Sequence, residues 1–222
     1  MPNDEDWLRD PLMKMGTGQY KKLKNLSKEK QDHWKSFHFS TRLKLEGADY
    51  FCRQVLGTAS MPDTIGMPLL AYKQLKWFLD AFFFELMSAW DILLQELNIV
   101  YDLGFKPHGV QWSDTQKTKF MKKLPENILN HLADERKKDW FRKIQSYRNT
   151  ATHHSHLPLS SWKVYGQDEP WFFSEHETNM FYFDTDTEKG QQENVKQCRN
   201  YLSQMTGHIH SMWEMVAQEF GR

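Results

Sequence analysis

The stretch from Leu75 to Val100 constrains this chain more than any other. Leu75, Phe78, Phe82, Leu86, Ala89, Leu93, Leu97 and Val100 recur at steps of three and four, which is one face of a 3.6-residue period. Trp77, Phe83, Phe84, Trp90 and Leu94 widen that face. A helix this apolar belongs in the middle of a helical bundle. Asp80, Glu85, Asp91 and Glu96 interrupt the run, so it is not an ordinary membrane span. Asp102, Gly104 and Pro107 are helix-terminating residues that close it.

Similar patterns flank it. An earlier helix is expected through Leu43, Ala48, Phe51 and Val55, stopping near Gly57. Met61-Pro62-Asp63 and Gly66-Met67-Pro68 then read as turns, with Pro68 placed to open the central helix. Ser113 with Gln116 has the form of a capping box and predicts a short helix that Pro125 breaks. A further helix carries Leu132, Trp140, Ile144 and Tyr147 inward and fades through His153 and His154 before Pro158. The last helix has its stripe at Val195, Cys198, Leu202, Met205, Ile209, Met212 and Val216. Trp171-Phe172-Phe173-Ser174 and Met180-Phe181-Tyr182-Phe183 flank Glu175-His176-Glu177-Thr178-Asn179 and read as a small β-hairpin. The expected fold is therefore all-α, an up-and-down helical bundle with a β-hairpin insertion before the last helix. Residues 1–27, with Gly16, Gly18, Pro11 and a Lys21-Lys22-Lys24 cluster, read as an N-terminal arm, and residues 28–222 as one domain.

Composition narrows the function classes. Lys+Arg and Asp+Glu both number 29, so the global field does not attract polyanions, and any nucleic-acid contact needs a local basic patch. Residues 117–143 supply one, with Lys119, Lys122, Lys123, Arg136, Lys137, Lys138, Arg142 and Lys143. Two cysteines, Cys52 and Cys198, are neither a disulfide scaffold nor a zinc knuckle, and point to a reducing cytoplasm. The acidic start Met1-Pro2-Asn3-Asp4-Glu5-Asp6 is unlike a secretory signal. P-loop, dinucleotide-binding, zincin and nucleophile-elbow signatures are absent.

Several histidines and acids are better read as ordinary residues. His153, His154 and His156 sit on one short segment without a neighbouring Cys or carboxylate, so no metal or other cofactor is expected there. His208 and His210 fall on different faces of the last helix. Glu175 and Glu177 at a hairpin tip do not make the facing pair that glycoside hydrolysis requires.

The segment Arg148-Asn149-Thr150-Ala151-Thr152-His153 carries the candidate chemistry. A guanidinium can grip a phosphate through two parallel bonds, and an imidazole can take a proton from a ribose 2′-hydroxyl or return one to the leaving oxygen. Asn149 can orient either partner. That chemistry needs no metal and requires RNA, because DNA lacks the 2′-hydroxyl. In a continuous helix Arg148 and His153 are roughly 140° apart around the axis. One groove can then hold both only if the helix loosens near Thr152 or a second chain completes the site.

Arg148-Asn149-x-x-x-His153 resembles the Rx4–6H motif of the HEPN superfamily, in the form with a polar residue after the arginine. The helix from Tyr72 to Tyr101, with Phe82-Phe83-Phe84-Glu85-Leu86 and Trp90-Asp91, is similar to the central helix of such bundles. The resemblance covers roughly residues 41–220 in architecture. It implies a two-fold homodimer with two motif copies facing one cleft. It also implies a metal-independent endoribonuclease, typically a toxin or phage-defence effector with a cognate antitoxin. Arg148 and His153 would be the catalytic pair, supported by Asn149, with Glu85 and Asp91 as candidates for setting the arginine. Some members are non-catalytic, and a module that binds nucleotide, RNA or protein through the aromatic hairpin is the competing expectation.

Overall fold

The computed structural model describes residues 27–59, 69–153 and 188–220. The β-hairpin expected at residues 171–183 and the N-terminal arm lie outside these residues. Among the described residues there is no strand, and the α-helices are α1 (Lys28–Ala59), α2 (Leu69–Val100), α3 (Glu126–Lys137), α4 (Asp139–His153) and α5 (Glu188–Phe220). Short 3-10 turns at Pro107–Gly109 and Met121–Lys123 lie between α2 and α3. No helix among these residues is long and apolar enough to cross a membrane.

Each helix boundary has a local cause. Ser27 opens α1, its carbonyl accepting from Gln31 N at 2.9 Å and its hydroxyl from Lys30 N at 3.4 Å. At the end of α2, Asp102 adopts a left-handed φ of 51°. Leu103 N then reaches back to Asn98 O at 3.0 Å and Asp102 N to Ile99 O at 3.2 Å. This is a Schellman cap, formed on Asp rather than the more usual Gly. Gly104 follows with φ 74°. Asn98 then binds both backbone groups of Phe105, through Nδ2 to its carbonyl at 2.9 Å and from its N–H to Oδ1 at 3.1 Å.

Three expectations are corrected here. The Ser113–Gln116 signature opens no α-helix. Ser113 Oγ accepts from Thr115 N and Gln116 N at 3.3 and 3.4 Å, while Thr118 Oγ1 donates to Gln111 O at 2.7 Å and accepts from Met121 N at 3.2 Å. These local side-chain bonds compete with the helical ladder and hold the segment in turns. Pro125 does not break a helix but starts α3: Leu124 before it is extended, and its own carbonyl accepts from Leu129 N at 2.9 Å. The single helix expected through Leu132 and Tyr147 is two helices. Lys138 is extended at φ −66°, ψ 143° and separates α3 from α4, and Asp139 places a carboxylate in the first turn of α4.

The chain divides into two compact units, and α1, α2 and α5 each contribute a segment to both. The described part of the first unit is residues 27–45, 88–138 and 203–220. Its core contains Trp34, Leu45, Trp90, Leu93, Leu97, Phe120, Ile128, Leu132, Met205, Ile209, Met212 and Trp213, all buried. Glu96 is fully buried in it and is held by two α1 side chains, His38 Nδ1 at 3.1 Å and the Thr41 hydroxyl. Trp34 stacks on His38 at 4.7 Å, and Trp213 meets the His38 ring edge-on at 5.0 Å. Burial raises the Glu96 carboxyl above its ordinary value, against the opposing effect of these bonds.

The second unit comprises residues 46–59, 69–87, 139–153 and 188–202. Its core is Ala48, Cys52 and Val55 from α1; Leu75, Leu79, Phe82, Phe83 and Leu86 from α2; Trp140, Phe141, Ile144 and Tyr147 from α4; and Cys198, Tyr201 and Leu202 from α5. Trp77 and Phe84, expected to widen the buried face of α2, are instead 59% and 48% exposed. The other three flanking residues, Phe83, Trp90 and Leu94, are buried as expected.

Candidate functional site

Helix α4 carries the Arg-Asn…His segment. Its apolar positions Trp140, Phe141, Ile144 and Tyr147 fall three and four apart and are buried, which fixes the rotation of the helix within its unit. Tyr147 is the last of these anchors. Its ring lies 4.9 Å from that of Phe83 on α2. Its hydroxyl is hydrogen-bonded to that of Tyr201 on α5, and Gln197 Nε2 donates to the Tyr201 hydroxyl at 3.0 Å. Burial raises the pKa of both phenols, so they stay protonated near neutrality and act as fixed dipoles.

Arg148 follows this anchor directly and is half-buried. Its Nη1 donates to Oδ1 of Asn149 at 3.2 Å. Asn149, also half-buried, therefore orients the guanidinium and leaves its own amide group to donate elsewhere. His153 is the last residue of α4, so the helix stays regular through the whole motif. Regular geometry sets Arg148 and His153 roughly 140° apart around the axis and about 7.5 Å along it. Asn149 and His153, four apart, share a face. Of the sequence-predicted residues, Arg148 and Asn149 are thus brought together, and His153 occupies the last position of α4. His154 and His156 lie outside the described residues.

The basic run leading to the motif is more neutralised than its sequence implies. Arg136 is buried, grips Asp114 through Nε and Nη2 at 2.8 and 2.5 Å, and lies 5.6 Å from the rings of both Trp90 and Trp112. Lys137, Lys138 and Lys143 pair with Asp134, Glu135 and Asp139. Lys117, Lys119 and Lys122 are exposed.

Two groupings escaped the sequence reading. One is the buried Glu96 with His38 and Thr41. The other is His131, Glu135 and His208, whose donor atoms all lie within 4.8 Å of one another. The His131-x-x-x-Glu135 spacing was visible and puts both on one helix face. The meeting with His208, from a helix far along the chain, was not.

A helical bundle with Arg-Asn-x-x-x-His at the end of an internal helix has the pattern of a HEPN domain. Comparison with known families agrees: the family description Cthe2314-like HEPN matches residues 38–221, and the chain belongs to that family. The match takes in most of α1, all of α2 to α4 and α5 to its end. Neither curated proteins nor solved structures gave a match.

Proposed function

We propose that the protein is a metal-independent endoribonuclease of HEPN type, in which Arg148 and His153 act across a two-fold homodimer cleft. The observation that carries this reading is the uninterrupted helix through the motif. With α4 helical to its end at His153, positions 148 and 153 fall roughly 140° apart around its axis. A symmetric partner supplies the missing half, because each copy's arginine side can meet the other's histidine side. Exposed Trp77 and Phe84, seven apart on α2, offer apolar area for such a contact.

In the proposed reaction His153 removes the 2′-hydroxyl proton, and the resulting oxyanion attacks the adjacent phosphorus. The 5′-oxygen bond breaks, a 2′,3′-cyclic phosphate forms, and the proton passes to the departing oxygen. Arg148 bridges two non-bridging oxygens and stabilises the extra negative charge, with Asn149 holding the guanidinium in place. A role as a toxin or phage-defence effector with an antitoxin follows from the family resemblance. The intramolecular pairing of Arg136, Lys137, Lys138 and Lys143 favours the rival reading, a non-catalytic binding module.

Wild type, Arg148→Ala and His153→Ala should be incubated with a mixed RNA pool in chelator, with circular dichroism confirming equal folding. The expected result is cleavage by wild type and a loss of about 10²-fold or more in each variant. Rates should rise faster than linearly with protein concentration near the dimer dissociation constant. Equal rates in all three proteins, or no cleavage by wild type, refute the proposal.

A further inference from the structure

The first unit contains a cluster that the Arg148 chemistry does not use. His131 and Glu135 share a face of α3, and His208 comes from α5. His208 is 4% exposed, and neither of its ring nitrogens has a hydrogen-bond partner among the described residues. His131 Nε2 is likewise buried without one. The two imidazoles stack nearly parallel, 5.4 Å apart with 13° between planes, and Trp90 stacks on the other contact of His208 at 5.3 Å.

Stacking alone does not account for this choice of residue. A phenylalanine at position 208 would stack equally well without burying two unsatisfied nitrogens. A lone pair buried beside a second imidazole and a carboxylate is a ligand set in search of a cation.

We propose that His131, Glu135 and His208 form a binding site for one divalent transition-metal ion of the zinc class, joining α3 to α5. Two nitrogens and one oxygen suit zinc, whereas magnesium and calcium prefer all-oxygen surroundings. Three protein donors leave a fourth position to water. Donors on a tetrahedral zinc lie about 3.4 Å apart, so from separations within 4.8 Å the side chains close in by at most about 1.4 Å as the ion enters. Lys138 Nζ bonds Glu135 Oε1 at 2.5 Å, which leaves the second carboxylate oxygen for the metal. Arg136 does not compete for Glu135, since its fork is committed to Asp114. The ion is structural, and the ribonuclease reading does not depend on it.

The test uses untagged, chelator-treated full-length protein, titrated with zinc chloride by calorimetry and with cobalt(II) by visible absorption. The expected result is one ion per chain, the strong visible bands of four-coordinate cobalt, and a thermal midpoint that rises with zinc but not with magnesium. Because replacing the core residue His208 can unfold the domain, the variants are the half-buried His131→Gln and Glu135→Gln. Each should weaken zinc binding about tenfold or more while circular dichroism stays unchanged. No stoichiometric zinc binding by wild type, or equal affinity in both variants and wild type, overturns the proposal. Neither result bears on RNA cleavage, which is read separately in chelator.

Discussion

Removing the Glu96 side chain should damage this protein more than any surface change, and the manner of its removal should matter. Glu96 is fully buried, hydrogen-bonded to His38 Nδ1 and accepting from the Thr41 hydroxyl. Truncation by Glu96→Ala removes the hydrogen bond that His38 Nδ1 makes in the core, at a cost of about 1–3 kcal/mol. Thr41 loses less, since its hydroxyl also bonds Phe37 O at 3.2 Å. The emptied volume adds about 2 kcal/mol, the low end for large-to-small core changes. The sum is about 3–5 kcal/mol, a large part of the 5–15 kcal/mol typical of a folded domain. Glu96→Gln keeps the shape, one acceptor and a donor, and should cost about 1 kcal/mol or less. The two can be separated by urea denaturation followed by circular dichroism. The pH dependence gives a sharper check. Burial raises the folded-state pKa of Glu96 above its ordinary 4.5. Its contribution is therefore fully present below the unfolded value and is lost as pH rises through the folded one. His38, Thr41 and Trp34 are the polar groups that face it, and the glutamine variant leaves all three in place. The stability of Glu96→Gln relative to wild type should accordingly improve from pH 5 to pH 8. A relative stability that worsens over that range would mean an ionised Glu96 held by His38, and would refute the argument. So would an alanine variant within about 1 kcal/mol of wild type.

Burial also lifts the Asp80 carboxyl from 3.8 to about 6, against the pull of Lys76 one turn earlier. Its ionisation thus costs stability as pH rises through about 6, and Asp80→Asn should gain about 1 kcal/mol at pH 8 but little at pH 4, after allowance for partial solvent exposure, by thermal melts across pH. Asp114→Ala should destabilise by about 2–3 kcal/mol because it strands the buried Arg136, whereas Arg136→Met should cost about 1 kcal/mol because Asp114 is half exposed and returns to water; the reverse order in urea melts would contradict this. Burial pushes the Cys52 thiol up to about 12 and raises Cys198 as well, so neither should react with a disulfide reagent in the folded protein, and both should react at once in denaturant.

What the sequence determined by itself was the set of long amphipathic elements. Leu75, Phe82, Leu86, Ala89, Leu93, Leu97 and Val100 are buried on α2, and Cys198, Leu202, Met205, Ile209, Met212 and Val216 on α5, because a 3.6-residue apolar period admits one helical rotation. The end of α2 at Asp102 and Gly104 was legible for a similar reason, since few residues tolerate a left-handed backbone. The inward stripe of α1 was harder to read. It runs Trp34, His38, Thr41, Leu45, Ala48, Cys52 and Val55, with polar residues at core positions, while Leu43, one of the apolar residues from which the helix is read, is 47% exposed. The break at Lys138 carried no proline or glycine to announce it.

Only tertiary structure decided which polar groups meet. His38 and Glu96 are 58 residues apart in sequence, and His131 and His208 lie on helices separated by all of α4. Hydrophobic periodicity shows which face of a helix turns inward but not which residue it will meet, because burial depends on apolar area and not on direction. A hydrogen bond or a ligand set needs distances of a few ångströms in a fixed orientation, and packing between helices supplies that.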